Sequence, residues 1–275
     1  MKAKKIIKSL FVSIGTMFAF NQYISITSGI NNTFKKSSYK TFESIFGEIK
    51  YLELGEGKPL LLIHNLSEGD NINEWNYITE YLSKENKVFS LNLLGCGNSN
   101  KDNIIYTNYM YSRLISDFIK KIIKDKTIII TSGNSNYIAV STEIYEQGLI
   151  DKIIMINPAK PTTINYNKLL IKIIKLPVIG TLIYNYKFSK IKMLKDLDKS
   201  YRIHEYMNSK YDSIHYDKDK SKYLYASIVE GKTDINYENY LSRIKLDIYS
   251  YIDNKHAYPH IEKPEKVYKF IKNYI

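Results

Sequence analysis

The stretch Thr127–Ser141, TIIITSGNSNYIAVS, contains a serine at the point where a predicted strand turns into a predicted helix. The apolar run before Gly133 is typical of a buried strand, and the glycine permits a sharp turn after it. Ser135 follows this turn. A serine on a strained turn can attack a carbonyl carbon, whereas a serine at a helix start commonly caps free amide groups. The sequence leaves both roles open.

Histidine and cysteine, which could assist such a serine or bind a metal, are scarce. The single cysteine, Cys96, excludes an internal disulfide and a zinc site built from cysteines. No H-E-x-x-H motif of a helical zinc site occurs in the sequence, so we predict no metal and no cofactor. The turn Gly95–Asn100, GCGNSN, lacks the third glycine and the following helix of a dinucleotide-binding loop.

The formal net charge of +12 raises the question of nucleic-acid binding. Nearly all of the excess is lysine spread along the whole chain, and the arginines are Arg113, Arg202 and Arg243. Base reading and bidentate phosphate contacts favour arginine, so we predict no nucleic-acid partner. A basic surface would instead favour an anionic membrane or cell wall at short range.

The first 30 residues form a segment of their own. Lysines between Lys2 and Lys8 precede an uncharged run over residues 9–30, a pattern shared by membrane anchors and signal peptides. No small-x-small cleavage site stands out, so we predict an uncleaved membrane anchor, with a signal peptide and secretion as the alternative. The lysines would stay in the cytoplasm, which puts the main domain outside the cell membrane.

After a polar stretch predicted as a linker, residues 31–46, short apolar strands alternate with helices. Thr107–Lys124 is the clearest helix, with apolar residues at helical spacing and Thr107 or Asn108 as its cap. The predicted strands are Glu48–Leu54, Pro59–Ile63, Val88–Leu93, Ile128–Thr131, Ile153–Ile156 and Lys245–Ile252. Continuous apolar strands are typical of parallel sheets, so we predict an α/β fold with a doubly wound, mostly parallel sheet over residues 47–275.

The alternation stops at Pro158 and resumes at Lys245. Between them lies a predicted helical insert, about residues 160–240, which begins with the apolar and basic stretch Lys168–Asn185. Because the insert follows a strand of the parallel sheet, we expect it to cover the carboxyl edge of the sheet as a cap.

Together these stretches resemble the α/β-hydrolase superfamily over Phe46–Ile275. Pro59–Trp75 resembles the strand that ends in His-Gly and the oxyanion loop, and Leu91–Lys101 resembles the turn D-x-x-G-x-G-x-S. Lys255–Ile271 resembles the ending in which a histidine precedes P-H-x-E-x-P and a last helix. The resemblance implies a hydrolase of small-molecule ester or acyl substrates, with the insert as its helical cap.

The resemblance gives Ser135 the place of the nucleophile in an elbow of the form G-x-S-x-G. Gly133 and Ser135 match its first glycine and its serine, while Tyr137 stands where the last glycine is expected. His256 becomes the general base, although an ungapped match puts Ala257 there and a one-residue bulge is needed. His260 competes for this role but matches the second histidine of the ending.

The oxyanion donors implied by the resemblance are the backbone N–H groups of Leu66 and Asn136. Asn65 stands where the family has the glycine after the histidine. Asparagine tolerates a positive φ better than most residues, so we expect the loop to keep its conformation.

The acid of the triad is unassigned. The family places it before the strand that leads to the histidine, whereas Tyr240–His256 runs almost directly from the insert into that strand. Glu230 and Asp234 lie upstream outside any recognisable acid motif, and Asn157 holds the earlier acid position that some members use. A missing acid lowers turnover by roughly 10⁴ without abolishing it.

Two functions follow from the sequence. The first is a membrane-anchored serine hydrolase acting on a carboxylic ester, thioester or amide, for which the apolar insert favours a lipophilic acyl chain. The alternative is a pseudoenzyme that keeps the hydrolase scaffold as a membrane-associated binding protein. The order of the four motifs favours the first, and the departures at Asn65, Tyr137 and the acid favour the second.

Overall fold

The computed structural model describes residues 2–29, 33–34, 38–160, 166–195, 201–217, 220–236 and 244–275. Its strands are β1 (Lys40–Ser44), β2 (Gly47–Leu54), β3 (Lys58–Ile63), β4 (Asn86–Leu91), β5 (Thr127–Ser132), β6 (Ile150–Ile156) and β7 (Asp247–Tyr251). They form one seven-stranded sheet in the order β1-β2-β4-β3-β5-β6-β7. The neighbours from β4 to β7 in this order are parallel, and β2 is antiparallel to both β1 and β4. The predicted α/β fold with a mostly parallel sheet is confirmed.

Helices flank the sheet on both faces and also form the insert. Those before the insert are α1 (Lys2–Ser28), α2 (Asn76–Leu82), α3 (Asn108–Phe118) and α4 (Asn136–Tyr145). Those of the insert are α5 (Lys168–Lys175), α6 (Ile179–Lys187), α7 (Lys190–Leu194), α8 (Tyr201–His215) and α9 (Ser221–Val229). The last two are α10 (Pro259–Glu262) and α11 (Pro264–Lys272).

The two faces of the sheet bury separate apolar cores, because successive side chains of a strand point to opposite faces. In β3, Leu61 and Ile63 join the core beneath α3 and α4, while Leu60 and Leu62 join the core beneath α2 and α11. Burial on both faces explains why β3, β5 and β6 appear in the sequence as nearly continuous apolar runs.

The helix predicted over Thr107–Lys124 is present as α3 followed by a π-helical turn, Ile119–Ile123. Thr107 caps α3, since its side chain accepts a hydrogen bond from the backbone N–H of Met110 at 3.3 Å. Lys124 ends the turn with a φ of 61°, a left-handed conformation that stops the helix. This cap and this end agree with the sequence-based expectation.

Strand β1 lies within the segment predicted as a linker, so that part of the prediction is wrong. β1 pairs with β2 across a tight turn in which the Ser44 hydroxyl donates to the Gly47 carbonyl at 2.7 Å. Phe42 is the one buried residue of β1, and a single apolar position gives no recognisable alternation in the sequence. The other linker positions 31–32 and 35–37 lie outside the described residues.

The insert is a helical cap with a small core of its own. That core includes Ile171 and Ile174 of α5, Tyr184 of α6, Ile214 of α8 and Ala226 of α9. α8 also joins the cap to the body, because Ile203 and Tyr206 pack on Ile261 of α10. Positions 161–165, 196–200, 218–219 and 237–240 of the predicted insert lie outside the described residues.

Among the described helices, α1 alone is long and apolar enough to cross a membrane. The helices over residues 168–175 and 179–194 pass the same test only as a pair bent by 113°. A signal sequence has the same composition and the same N-terminal place as α1.

Candidate active site

The candidate site lies at the carboxyl ends of the parallel strands, where open α/β sheets bind ligands. β3 leads into the loop 64–71, β5 into the turn 133–135, β6 into residues 157–160 and β7 into the loop 252–258. Leu66, Ser135 and His256 belong to three of these connections. The topology therefore brings the predicted site residues to one edge of the sheet.

The connection after β5 is a sharp turn whose strained residue is Gly133. This glycine has a φ of 51°, and the 3₁₀ turn Gly133–Ser135 leads directly into α4. Ser135 has a φ of −69° and a ψ of −9°, an ordinary right-handed helical conformation. In a G-x-S-x-G elbow the serine itself occupies the strained position. Gly133 therefore stands in the place of the nucleophile, and Ser135 stands in the place of the last small residue.

The contacts of Ser135 are those of a structural serine. Its side chain is fully buried, and its hydroxyl lies 2.7 Å from the carbonyl oxygen of Ser132 and 3.1 Å from that of Ile63. The same oxygen accepts a hydrogen bond from the backbone N–H of Ser132 at 3.2 Å. Ser135 closes the turn against the strand end, and in this conformation its hydroxyl is engaged with backbone groups.

The side chain of Asn65 fills the space beside Gly133. A Cβ atom on Gly133 would lie 2.2 Å from Asn65 Oδ1, too close for any side chain while Asn65 stays in place. The same Oδ1 accepts a hydrogen bond from the backbone N–H of Asn134 at 2.8 Å. Asn65 Nδ2 donates to Asp70 Oδ2 at 2.6 Å, so the amide group is held at both ends. Asn65 occupies the acceptor position that a substrate carbonyl would need.

The two predicted oxyanion donors have different outcomes. The N–H of Asn136 donates to the carbonyl oxygens of Asn134 and Gly133 within the turn, so it is engaged in this structure. In the observed register its counterpart is Asn134, the residue after the strained position. Leu66 does lie beside the elbow, since its carbonyl accepts from Asn134 Nδ2 at 3.3 Å. Asn65 is absent from the described residues with a positive φ, so it does not replace the family glycine as expected.

His256 lies on the loop between β7 and α10, with about a quarter of its side chain exposed at 24%. Its Nδ1 is 2.9 Å from Asp253 Oδ2. The hydrogen bond from His256 and those from the loop backbone hold the pKa of Asp253 below its usual range. Among the described residues no hydrogen bond joins His256 to Ser135, so the structure does not assemble the predicted pair.

Asp253 is the carboxylate in contact with His256, and the sequence reasoning did not consider it. It lies three residues before His256, and a D-x-x-H spacing in a loop is the signal that could have found it. Of the acids considered upstream, Glu230 pairs with Lys175 at 2.9 Å, and Asp234 accepts from the adjacent Thr233 hydroxyl at 3.2 Å. Both are engaged away from the histidine.

Asn157, which stands at the earlier acid position considered in the sequence, holds the histidine loop in place through its side chain. It follows β6 with a φ of 44°. Its Nδ2 donates to the carbonyl oxygens of His256 and Asp253 at 2.8 and 3.1 Å, and its Oδ1 accepts from the Asp253 N–H at 2.7 Å. Asn157 thereby fixes the loop that carries the histidine and its acid.

His260, the competing histidine, belongs to a buried network centred on Glu74. His260 Nε2 lies 2.9 Å from Glu74 Oε1, which also accepts from the Ser132 hydroxyl. Glu74 Oε2 accepts from the Asn65 N–H at 3.0 Å and from the Tyr206 hydroxyl at 3.2 Å. One buried carboxylate therefore joins the oxyanion loop, the end of β5, α10 and the cap helix α8.

A second buried carboxylate, Asp70, extends this network into the cap. It is fully buried and pairs with Lys210 of α8 at 2.6 Å, while Tyr206 donates to it at 2.7 Å. Burial by itself raises the pKa of Asp70, but the charge of Lys210 and the hydrogen bonds outweigh burial and hold this pKa below its usual range. Asp70 is thus a carboxylate that holds the Asn65 side chain in place by accepting a hydrogen bond from its amide group.

The comparison with known proteins supports the fold. No protein-family model matches the chain. A 2-hydroxy-6-oxo-6-(2'-aminophenyl)hexa-2,4-dienoic acid hydrolase from Metapseudomonas resinovorans is 27% identical over 114 residues, which are 41% of this chain and 39% of that protein. The match thus spans well under two thirds of the relative.

Solved structures cover much more of the chain. A serine hydrolase involved in carbazole degradation has a TM-score of 0.65 and 18% identity, over 86% of this chain and 97% of that one. An enol-lactonase from Burkholderia xenovorans has a TM-score of 0.65 and 13% identity, over 85% and 98%. An esterase from Exiguobacterium antarcticum has a TM-score of 0.65 and 13% identity, over 86% and 98%. With its parallel sheet and helical cap, this chain has the α/β-hydrolase fold of these structures.

Proposed function

We propose that this chain is a non-hydrolytic protein of α/β-hydrolase fold that acts by binding, held at a membrane through α1. The single observation that carries the proposal is the pair formed by Gly133 and Asn65. Gly133 occupies the strained position of the elbow, and Asn65 Oδ1 occupies the space of the missing side chain. Without a nucleophile at that position no acyl intermediate forms on the elbow.

The hydrogen bond from Asn134 to Asn65 adds a second obstacle to hydrolysis. A substrate oxyanion would have to displace Asn65 Oδ1 from the Asn134 N–H, at 2.8 Å, and break the contact of Asn65 Nδ2 with Asp70. Loss of one oxyanion donor alone typically costs ~10²–10³ in rate. The site therefore combines an absent nucleophile with an occupied oxyanion donor.

The second candidate is the serine hydrolase predicted from the sequence, with an ester, thioester or amide as substrate. The hydrolase names of the relatives and the Asp253–His256 pair favour it. In this candidate Ser135 is the nucleophile, His256 the base, and the amides of Leu66 and Asn136 the oxyanion donors. Ser135 would first have to turn away from the carbonyls of Ser132 and Ile63.

A fluorophosphonate probe separates the two candidates on the full chain in mild detergent. We expect no labelling of the wild type and no change in Ser135→Ala or His256→Ala. The double variant Gly133→Ser with Asn65→Gly returns a serine to the strained position and clears the space beside it. We expect this variant to take label, which makes it the positive control for a folded elbow.

Labelling of the wild type that disappears in Ser135→Ala and His256→Ala would refute the proposal and establish the serine hydrolase. Each variant is compared with the wild type by thermal unfolding, so that a loss of label is not confused with a loss of fold.

A further inference from the structure

Helix α1 is divided into an exposed first part and a second part that packs on the cap. Ile6, Leu10 and Phe11 are 68%, 59% and 70% exposed. Asn21, by contrast, is buried between the helices, where its Nδ2 donates to the Val178 carbonyl at 2.8 Å. Asn185 of α6 donates in turn to Asn21 Oδ1 at 3.0 Å. The end of α1 is thereby fixed to the cap by buried hydrogen bonds.

A groove of about 470 Å³ lies between α1 and the cap. It is lined by Phe20 and Ile24 of α1, by Leu182, Ile183, Asn185 and Tyr186 of α6, and by Ser189 and Tyr211. Most of these side chains are apolar, and the volume is within the ~300–1,000 Å³ typical of small-molecule sites. The groove has the chemistry of a site for a hydrocarbon chain.

If α1 crosses a bilayer, the length of this helix places the groove at the membrane. The uncharged part of the helix, from Ser9 to Ser28, is about 30 Å long at 1.5 Å per residue, which equals the hydrocarbon thickness of a bilayer. The part that packs on the cap begins near Asn21. Because α1 needs that part to complete a span, a bilayer crossed by α1 reaches the groove.

Two lysines lie with their ammonium groups close to tyrosine rings of the groove. Lys192 Nζ lies 3.5 Å from the ring centroid of Tyr186, and Lys190 Nζ lies 6.0 Å from that of Tyr211. Both lysines are exposed. Their charges are placed to attract an anionic headgroup whose hydrocarbon chain enters between the helices.

We propose that the groove between α1 and α6 binds one acyl chain of an anionic phospholipid from the bilayer that α1 enters, with Lys190 and Lys192 at the phosphate. This site is separate from the elbow. The lipid site rests on the proposed membrane attachment of α1, but it does not depend on whether the elbow is catalytic. A failure to bind lipid leaves the contact between Gly133 and Asn65 unchanged.

The test uses the full chain in vesicles of phosphatidylcholine containing phosphatidylglycerol with a diazirine near the end of one acyl chain. After photolysis, we expect labelled peptides that contain Phe20–Ile24 and Leu182–Tyr186. Leu182→Trp fills the groove and should reduce this labelling several-fold. Leu169→Trp, the same change at a position of α5 that is 65% exposed and outside the groove, is the matched control.

The lysines are tested without altering the apolar groove. Replacing Lys190 and Lys192 by Gln should reduce labelling by phosphatidylglycerol about fivefold for each lysine. Labelling by phosphatidylcholine with the same diazirine should fall much less, because its choline cation cancels the net charge of the headgroup. Label confined to the exposed residues 6–18, equal labelling in Leu182→Trp and wild type, or a mature chain from which α1 has been removed would each overturn the proposal.

Discussion

The two halves of the candidate site, the histidine loop and the elbow, differ in which reactive side chains they contain. The histidine loop holds an acid and a base in contact, since His256 Nδ1 lies 2.9 Å from Asp253 Oδ2. The elbow, by contrast, has glycine in the strained position and the Asn65 amide in the adjacent space. Both halves stand on the same sheet edge, and hydrogen bonds hold each of them in place. Structural support of a site and its chemical competence are therefore separate properties.

Buried polar contacts explain this difference. At the elbow, Glu74 and Asp70 are fully buried and direct Asn65 against the turn. In the histidine loop, Asp253 is partly exposed and also accepts from the backbone N–H of Lys255 at 2.8 Å. The acid–base pair is thus part of what shapes its loop, and it needs no nucleophile opposite it to be stable.

Removal of the Glu74 carboxylate should have the largest effect. In Glu74→Ala, the Ser132 hydroxyl, His260 Nε2 and the Tyr206 hydroxyl lose a buried partner. Removing one member of such a buried set typically costs ~3–5 kcal/mol. We expect a loss of this size in the free energy of unfolding from urea titration.

Glu80→Ala is the matched control, because Glu80 is an exposed glutamate of α2, shortly after the 3₁₀ turn that contains Glu74. A change within about 0.5 kcal/mol is expected there. If Glu74→Ala were as mild as this control, the network would not be what fixes the elbow, and the contrast between the two halves would fail.

Gly133→Ala should have the second-largest effect on the free energy of unfolding. An alanine at a φ of 51° is strained, and its Cβ would meet Asn65 Oδ1. We expect a destabilisation of about 2 kcal/mol. Since part of this cost is the contact with Asn65, adding Asn65→Gly should recover about 1 kcal/mol in a double-mutant cycle.

Gly148→Ala is the control for this double-mutant cycle. A Cβ atom at Gly148 would meet nothing within 4 Å, although φ is 89°. Its cost reports the backbone strain alone and should not change with Asn65→Gly. Strict additivity at Gly133 and Asn65 would contradict the claim that Asn65 blocks the nucleophile position.

The sheet and helices were predictable because their residues repeat with local periods. β3, β5 and α3 are apolar at strand or helix spacing, and Thr107 is a common cap. The elbow register was not predictable in this way. The sequence matches G-x-S with Ser135 as the nucleophile, and the shifted register is visible only in the positive φ of Gly133.

The contacts that close the site join distant positions in the chain. Asn65 meets Asn134 across 69 residues, and Glu74 meets His260 across 186. No local period encodes such pairs, so the sequence could indicate the loops but not their interlocking. Asp253 and His256 are an exception, since their spacing of three residues was visible in the sequence.

Ser135→Ala should have a smaller effect than Gly133→Ala, and it should be an effect on stability. The Ser132 N–H loses its acceptor, and the elbow loses the contacts of the hydroxyl with Ser132 and Ile63. We expect about 1–2 kcal/mol in thermal or urea unfolding. Ser141→Ala in α4 is the matched control. Within the described part of the chain its hydroxyl bonds to the carbonyl of Tyr137, four residues earlier, so the substitution should cost less.

The smallest effect concerns the histidine loop. His256→Ala removes the main hydrogen bond that lowers the pKa of Asp253, so this pKa should rise towards its ordinary value. In the wild type the Asp253 carboxylate favours the folded state above the ordinary pKa of aspartate, and this contribution is lost as pH falls through the lower folded pKa. Carboxyl-carbon NMR titration of the full chain measures the shift, with His204→Ala as a control on the cap. An unchanged Asp253 titration in His256→Ala would mean that the backbone N–H groups alone stabilise the carboxylate. The imidazole of His256 would then not be coupled to Asp253, and the contrast between the histidine loop and the elbow would fail.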